Sequence, residues 1–407
     1  MRSHTMVMFA LVTAIVLLPG GAWGANTENV LYTFQGANDC AAYGSLILDP
    51  AGNLYGTTFG GFVVNGEVYE LSPSGSGWTQ TILHTFAGGS DGRNPVTGLV
   101  RDRAGNLYGT TPAGGSSDRG VVYELSPNGS GWTETVLFAF SGGNDGAIPY
   151  SGLILDQAGN LYGATSQGGA GGNGGNGLVF KLTRGSSGWT ESVLYTFTGG
   201  NDGSFPQGNL LFDPAGNLYG TTTQGGVGGW GTAFKLTPSA GGWTETTLHG
   251  FTNGNDGAQP MSGVIRDRSG VLYGTANGGG SGSLGVVFQL RPYPTIQSTT
   301  RAGWMETPIY RFTGGSDGAG PDTGVIFDQA GNLDGAAGGG GSGWGVVYQL
   351  TPGSSGWTES VLYTFTGGAD GRFPESTVTI DSPGNLYGTT VAGGAGCGVV
   401  YQITAQR

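Results

Sequence analysis

Apolar residues along this chain come in short runs of four to nine, rich in Val, Leu, Tyr, Thr and Phe and bounded by Gly, Pro, Asn or Asp. That pattern predicts β-strands joined by turns. The runs also repeat. The segment GNLYG around Asn53 returns at Asn106, Asn160, Asn217, Asn332 and Asn385, with a degenerate copy at Val271, so seven copies recur with a period of 53 to 61 residues. Each period reads G-L-x-x-D, then G-N-L-Y-G-T-T, then G-V-V-Y-x-L, then G-W-T-E-x-V-L-Y-x-F. Four strands per period with no helical pattern between them describe one antiparallel sheet, and seven such sheets predict an all-β, seven-bladed β-propeller. The first strand of each blade ends at an Asp (Asp49, Asp102, Asp156, Asp213, Asp267, Asp328, Asp381) that turns tightly through Gly-Asn into the second.

The ends of the chain predict how the ring closes. Trp78, Trp132, Trp189, Trp243, Trp304 and Trp357 mark only six copies of the fourth strand, and the chain stops just after a third strand at Tyr401–Ile403. The missing strand lies at the start, where residues 29–34, NVLYTF, match its tail. They are expected to dock beside 398–403 and complete blade seven (377–403), with blades one to six within 45–365. A closed ring leaves no open inner edge. The same pairing brings Cys40 close to Cys397, which predicts a disulfide worth about 4 to 5 kcal/mol in the chain-entropy model.

Ahead of the propeller, Arg2 is followed by an apolar run from Met6 to Leu18 and by Ala22-Trp23-Gly24. This reads as a signal peptide over 1–24, too short to span a membrane, so residues 25–407 are expected to be exported, as a disulfide requires. Glycine supplies 87 of 407 residues, charged residues 10%, and the net charge is −12. No Lys/Arg cluster occurs, which argues against nucleic acid and anionic membranes as partners. A monomer is expected.

The period, with its G-N-L-Y-G-T-T, Gly-rich stretch and G-W-T-E-x-V-L-Y-x-F-x-G-G-x-D-G-x-x-P, resembles that of the bacterial exported proteins built from GloVer tandem repeats, and the likeness covers essentially the whole mature chain. The resemblance implies a repeat architecture and no particular activity. Many members bear a C-terminal sorting or anchoring segment; the chain ends at Arg407 without one, so anchoring is not expected. The first strands also look like those of lactonase-type propellers, a likeness of fold only.

Candidate chemistry is sparse. His4 leaves with the signal peptide, while His84 and His249 take the slot held elsewhere by Tyr32, Phe138, Tyr195, Tyr310 and Tyr363. They read as ring substitutes, which disfavours a catalytic triad or a histidine metal site. A G-G-x-D-G-type loop in every blade supplies Asp39, Asp91, Asp145, Asp202, Asp256, Asp317 and Asp370. Seven carboxylates around one face suit Ca²⁺, yet a feature copied into every blade also reads as a turn, its Asp bonding backbone amides and the next Gly taking positive φ. The loops between second and third strands vary, and there Phe59, Phe62, Trp230 and Trp344 are candidates to stack on a ligand. Glu134, Glu191, Glu245, Glu306 and Glu359 read as solvated charges on the outer strand. Glu67, Arg93, Arg372 and Glu375 break the repeat near the same face, and Asp334 replaces the Tyr of GNLYG in blade six beside Ala336-Ala337.

The leading expectation is a non-enzymatic binding propeller whose ligand, a glycan or a surface protein, sits on the Asp-loop face. The rival is a carbohydrate-active or lactone-hydrolysing enzyme using pore-facing Asp/Glu, with Ca²⁺ as its one conceivable cofactor. Two or more non-repeated carboxylates converging in the pore would favour the rival.

Overall fold

The computed structural model describes residues 26–61, 64–129, 131–293 and 303–404. The segment 1–24, expected to be a signal peptide, and Phe62 lie outside the described residues. Seven sheets of antiparallel strands form a seven-bladed propeller, all-β as its repeat predicts. In blade one the strands, from the pore outward, are Ile47–Leu48, Leu54–Thr58, Glu67–Ser74 and Gly77–Thr85. Blade four adds a short strand, Ser204–Pro206, against its second strand.

Closure follows the expected pairing. Thr27–Thr33 lies antiparallel to Val399–Thr404, with Val30 opposite Tyr401. The closing strand therefore starts two residues earlier than the NVLYTF match suggests, and Glu28 takes the Glu slot of the fourth strand. Cys40 and Cys397 form the disulfide. Among the described residues no helix is long and apolar enough to cross a membrane.

Seven core clusters each straddle a seam between blades; one joins Tyr55, Val68 and Phe86 of blade one to Leu107, Val121 and Tyr123 of blade two. Alternation explains this, because successive side chains of a strand point to opposite faces and every blade is covered on both. An aromatic relay runs through the seams. The last Phe of each fourth strand meets, edge to face, the aromatic residue of the next blade's third strand, as in Phe86–Tyr123 (5.2 Å), Phe197–Phe234 (5.1 Å) and, across the closure, Phe34–Tyr69 (5.4 Å). Each such pair contributes about 0.5–1.5 kcal/mol beyond area burial.

One departure from strict alternation recurs in every blade. The register between third and fourth strands shifts between Val68/Tyr69, between Val122/Tyr123 and at equivalent places in the other blades. The bulged residue is the Leu of V-L-Y, and Leu83 is buried as a result. A bulge re-aims one side chain, here sending both Leu83 and Phe86 into the same seam.

Candidate functional site

Each loop from an outer strand to the next inner strand delivers one side chain to the pore. The device is a residue with positive φ placed just before proline: Asn94 (57°), Ile148 (57°), Phe205 (57°), Gln259 (54°) and Phe373 (58°), with Gly320 (61°) in blade six. Such a φ is strained for a β-branched residue such as Ile148. It is held by the preceding blade, whose carbonyl accepts the strained amide: Ile148 N–H to Arg119 O at 2.9 Å, Gln259 N–H to Trp230 O at 2.8 Å, Phe373 N–H to Trp344 O at 2.9 Å. In blade one Ala41 (57°) takes this place, its amide bonded to Cys397 O at 3.1 Å, so the disulfide sits on the same fixture.

The residue after the proline then lines the mouth of the pore. Those seven positions are Tyr43, Val96, Tyr150, Gln207, Met261, Asp322 and Glu375. Around them the repeat is nearly uniform; here almost every blade carries a different chemistry. Two residues further along each inner strand the pore-facing side chains are small, Ser45, Gly98, Gly152, Asn209, Gly263, Gly324 and Thr377, and beyond these come aliphatic residues such as Val100, Ile154 and Ile265. The cavity so enclosed measures about 420 Å³. At Gly263 glycine is required by close approach: a Cβ there would lie 2.1 Å from Asn209 O.

Two carboxylates that belong to no repeat therefore converge at the mouth, on the adjacent blades six and seven. The Asn277 side-chain amide donates to Asp322 Oδ1. Burial pushes the Asp322 carboxyl up to about 6. Burial, and then the Asp322 charge, push Glu375 up to about 7. Blade six carries Gly338 where blade five has Asn277, and a Cβ there would stand 3.8 Å from Glu375 Cγ. Tyr43 on the other side feels the same carboxylate, its phenol raised by burial and by Glu375. Among the described residues no ion pair involves Asp322 or Glu375, and no Lys, Arg or His lines the cavity.

The aromatic candidates lie at different depths. Phe59 lines the mouth and meets Tyr43 edge to face at 5.9 Å. Trp230 stands on the rim, 40% exposed. Trp344 covers its neighbouring blade, 5.6 Å from the Phe373 ring and beneath the Arg372 guanidinium at 5.0 Å. Arg93 pairs with Asp118 at 2.9 Å on the rim.

The seven loop aspartates are held separately, six by their own loops and Asp39 by Tyr32 and, across the seam, by Gln80. Asp202 accepts from Thr198 N–H (2.8 Å), Thr198 Oγ1 (2.6 Å) and Tyr195 OH (3.0 Å), and Asp317 and Asp370 are bound in the same manner. Asp91 accepts from Ala87 N–H, Asp145 from Ser141 and Asp256 from Thr252, while Asp39 is bound by Gln80. Among the described residues no group of three or more His, Cys, Asp or Glu is placed to hold a metal ion. His249 Nε2 stands 3.0 Å from Asp256 and His84 Nε2 3.5 Å from Asp91. His249 thus stands in for the Tyr hydroxyl as well as for its ring, whereas His84 Nε2 is left without a hydrogen-bond partner.

One sequence expectation needs correction. The fourth-strand glutamates are not solvated: Oε1 of Glu134, Glu191, Glu306 and Glu359 is buried without a hydrogen-bond partner. Burial first, then the loop aspartate across the seam, raises Glu134 and Glu191 to about 7. Asp334 is buried at 1% exposure yet partnered, accepting from Gln349 Nε2 at 2.8 Å, and it lies by the Asp328 turn, away from the mouth. Of the seven mouth residues sequence reading singled out only Glu375 and missed Tyr43, Val96, Tyr150, Gln207, Met261 and Asp322. A signal was available: aligned copy by copy, the column after the proline changes its chemistry from blade to blade.

A family model described as the Gloeobacter/Verrucomicrobia repeat matches residues 22–175 and again residues 170–338. The chain belongs to that family. No curated protein matches the sequence. Among solved structures the chain is similar to a putative oxidoreductase (glucose dehydrogenase) from Thermus thermophilus, at 14% identity over 93% of this chain and 100% of that one, TM-score 0.46. It is also similar to the soluble aldose sugar dehydrogenase of Escherichia coli (16% identity, 94% and 100% covered, TM-score 0.47). A third is an α-L-arabinanase of Penicillium chrysogenum complexed with arabinobiose (12% identity, 83% and 98% covered, TM-score 0.46).

Proposed function

We propose that this repeat propeller is an exported recognition protein that holds the end of a glycan in the cup at its pore mouth. The observation that carries the reading is the mouth ring, where a uniform scaffold presents seven positions that differ in chemistry around a cavity of about 420 Å³. Small-ligand sites are concave, of a few hundred Å³, and combine apolar walls with a few fixed polar groups. Tyr43, Phe59 and Tyr150 offer ring faces, and Gln207, Asp322 and Glu375 offer acceptors for hydroxyl groups. A protein partner would want a broad face of about 800 Å² instead. Export is supported by the signal-like segment 1–24 and by the Cys40–Cys397 disulfide.

A glycan array followed by calorimetry on the mature protein tests the reading. Tyr150→Ala combined with Gln207→Ala should weaken the best array ligand by about tenfold or more. Trp230→Ala on the rim should matter less. Undiminished binding by the Tyr150/Gln207 variant rejects the cup.

The hydrolytic reading keeps one specific support. Asp322 and Glu375 are neighbours in one cavity, both raised toward neutrality, so that a proton can stay on one while the other is ionised. Turnover on a polysaccharide panel that vanishes with Glu375→Gln would establish it, and binding without turnover would rule it out.

A further inference from the structure

The charge inside the cup is one-sided. Its only charged lining groups are Asp322 and Glu375 on blades six and seven, whereas Val96, Tyr150 and Met261 form the wall contributed by blades two, three and five. Asp322 keeps Oδ2 free of any described partner while Asn277 holds Oδ1, and Glu375 makes no described hydrogen bond. The nearest guanidinium on the same loop, that of Arg372, is turned onto the rings of Trp344 and Phe373 (5.0 and 5.7 Å). Two neighbouring carboxyls without a counter-ion are a standing electrostatic cost that a bound cation relieves. A calcium ion is a poor answer, since it wants six to eight oxygen ligands and the pair offers few, one of them already engaged. An organic ammonium needs only two or three acceptors, and its carbon body can rest against the apolar wall.

We infer that the cup selects a hydroxyl-rich ligand bearing a protonated primary amine, an amino sugar, with its ammonium between Asp322 and Glu375. This rests on the cup being the glycan site. Anionic glycans are rejected, because nothing in the lining can neutralise them.

The test compares β-1,4-linked glucosamine oligomers with their N-acetylated counterparts, which share every hydroxyl and differ in the charge. Calorimetry near pH 7, above the Asp322 value of about 6, should find the free-amine oligomer bound about tenfold tighter. Added salt should weaken that oligomer and leave the acetylated one nearly unchanged. Glu375→Gln should abolish the preference for the free amine, with an unaltered thermal melt as the folding control. The salt comparison on the native protein stands even if that variant misfolds. Equal or stronger binding of the acetylated oligomer overturns the amine preference and leaves the cup a neutral-glycan site. Binding of neither oligomer, by a protein that does bind other array glycans through Tyr150 and Gln207, also overturns it. An empty array brings down the cup itself.

Discussion

At the scale of single residues, the last Gly of GNLYG is explained by what lies over it. A Cβ on Gly109 would stand 2.4 Å from the Tyr123 hydroxyl, and one on Gly163 would stand 2.7 Å from Phe180 Cζ, so each second strand must be bare where the third-strand ring crosses it. Gly109→Ala should therefore lower stability by about 1–3 kcal/mol, read as a drop in melting temperature. The ring itself carries a liability. Tyr69, Tyr123, Tyr348 and Tyr401 are wholly buried with hydroxyls that lack a protein partner, and burial drives their phenol pKa far above the ordinary value. Blades three to five already use Phe180, Phe234 and Phe288 in that slot. Tyr123→Phe should consequently raise stability by about 1 kcal/mol, since an unsatisfied buried hydroxyl costs about 1–3. A lower melting temperature for that variant would reveal a partner for the hydroxyl. The glycine was plain in the sequence as a repeated letter; its cause was not, because it lies in a ring more than a dozen residues away.

At the scale of elements, the outer strands carry a belt of carboxyl pairs. Glu28 faces Asp370, Glu134 faces Asp91, Glu191 faces Asp145, Glu245 faces Asp202, Glu306 faces Asp256 and Glu359 faces Asp317. Blade one has Gln80 in this slot, and its amide donates to Asp39 at 2.9 Å while its carbonyl accepts from Tyr32 OH at 2.7 Å. Gln80 shows the contact that a protonated glutamic acid can make in the other blades. Burial and the facing aspartate raise these glutamates to about 7, and Glu306 to about 8, so between their ordinary value of 4.5 and neutrality the folded state binds more protons than the unfolded one. Stability contributed this way is full below pH 4.5 and is lost as pH climbs through about 7. His84 and His249, lowered by burial, act in the opposite sense but are only two. Below the belt's range, the turn aspartates take over: burial raises Asp49, yet the amides of Asn53 and Ala51 and the Tyr55 hydroxyl outweigh it and hold the carboxyl low, so its contribution is lost in acid below its ordinary 3.8. Melting temperature should therefore peak near pH 4–5 and decline toward pH 8. Glu134→Gln with Glu191→Gln should flatten that decline, and a flat native profile would refute the belt. Sequence reading saw these glutamates as surface charges because alternation puts them on the outer strand; the loop that covers them comes from the preceding blade and leaves no mark in the local pattern.

At the scale of the molecule, blade number, strand order and closure were legible because they follow from counting and from one missing copy, whereas the cup was not, because its seven residues lie in seven periods and meet only around the pore. The same contrast locates the weak point of the ring. Six blades draw all four strands from one continuous stretch, but blade seven is completed by Thr27–Thr33, which comes from the other end of the chain to pair with Val399–Thr404. In every other blade the third strand pairs with the fourth strand that follows it in the chain. The Cys40–Cys397 bond spans 357 residues and is the one covalent link that holds the two ends together. Replacing both cysteines by Ser should destabilise the protein by about 4 to 5 kcal/mol, since the unfolded chain then regains the entropy of so long a loop. Native protein in reductant should melt at the lower temperature of the double variant. Removing residues 26–34 as well takes away Phe34, which lies 5.4 Å from Tyr69 across the seam, and bares the edge of Val399–Thr404. That shortened protein should melt lower still and self-associate through the exposed edge, as unpaired strands do. Light scattering during the melt separates the two effects: a monomeric melt at the native temperature would show that blade seven stands without its borrowed strand.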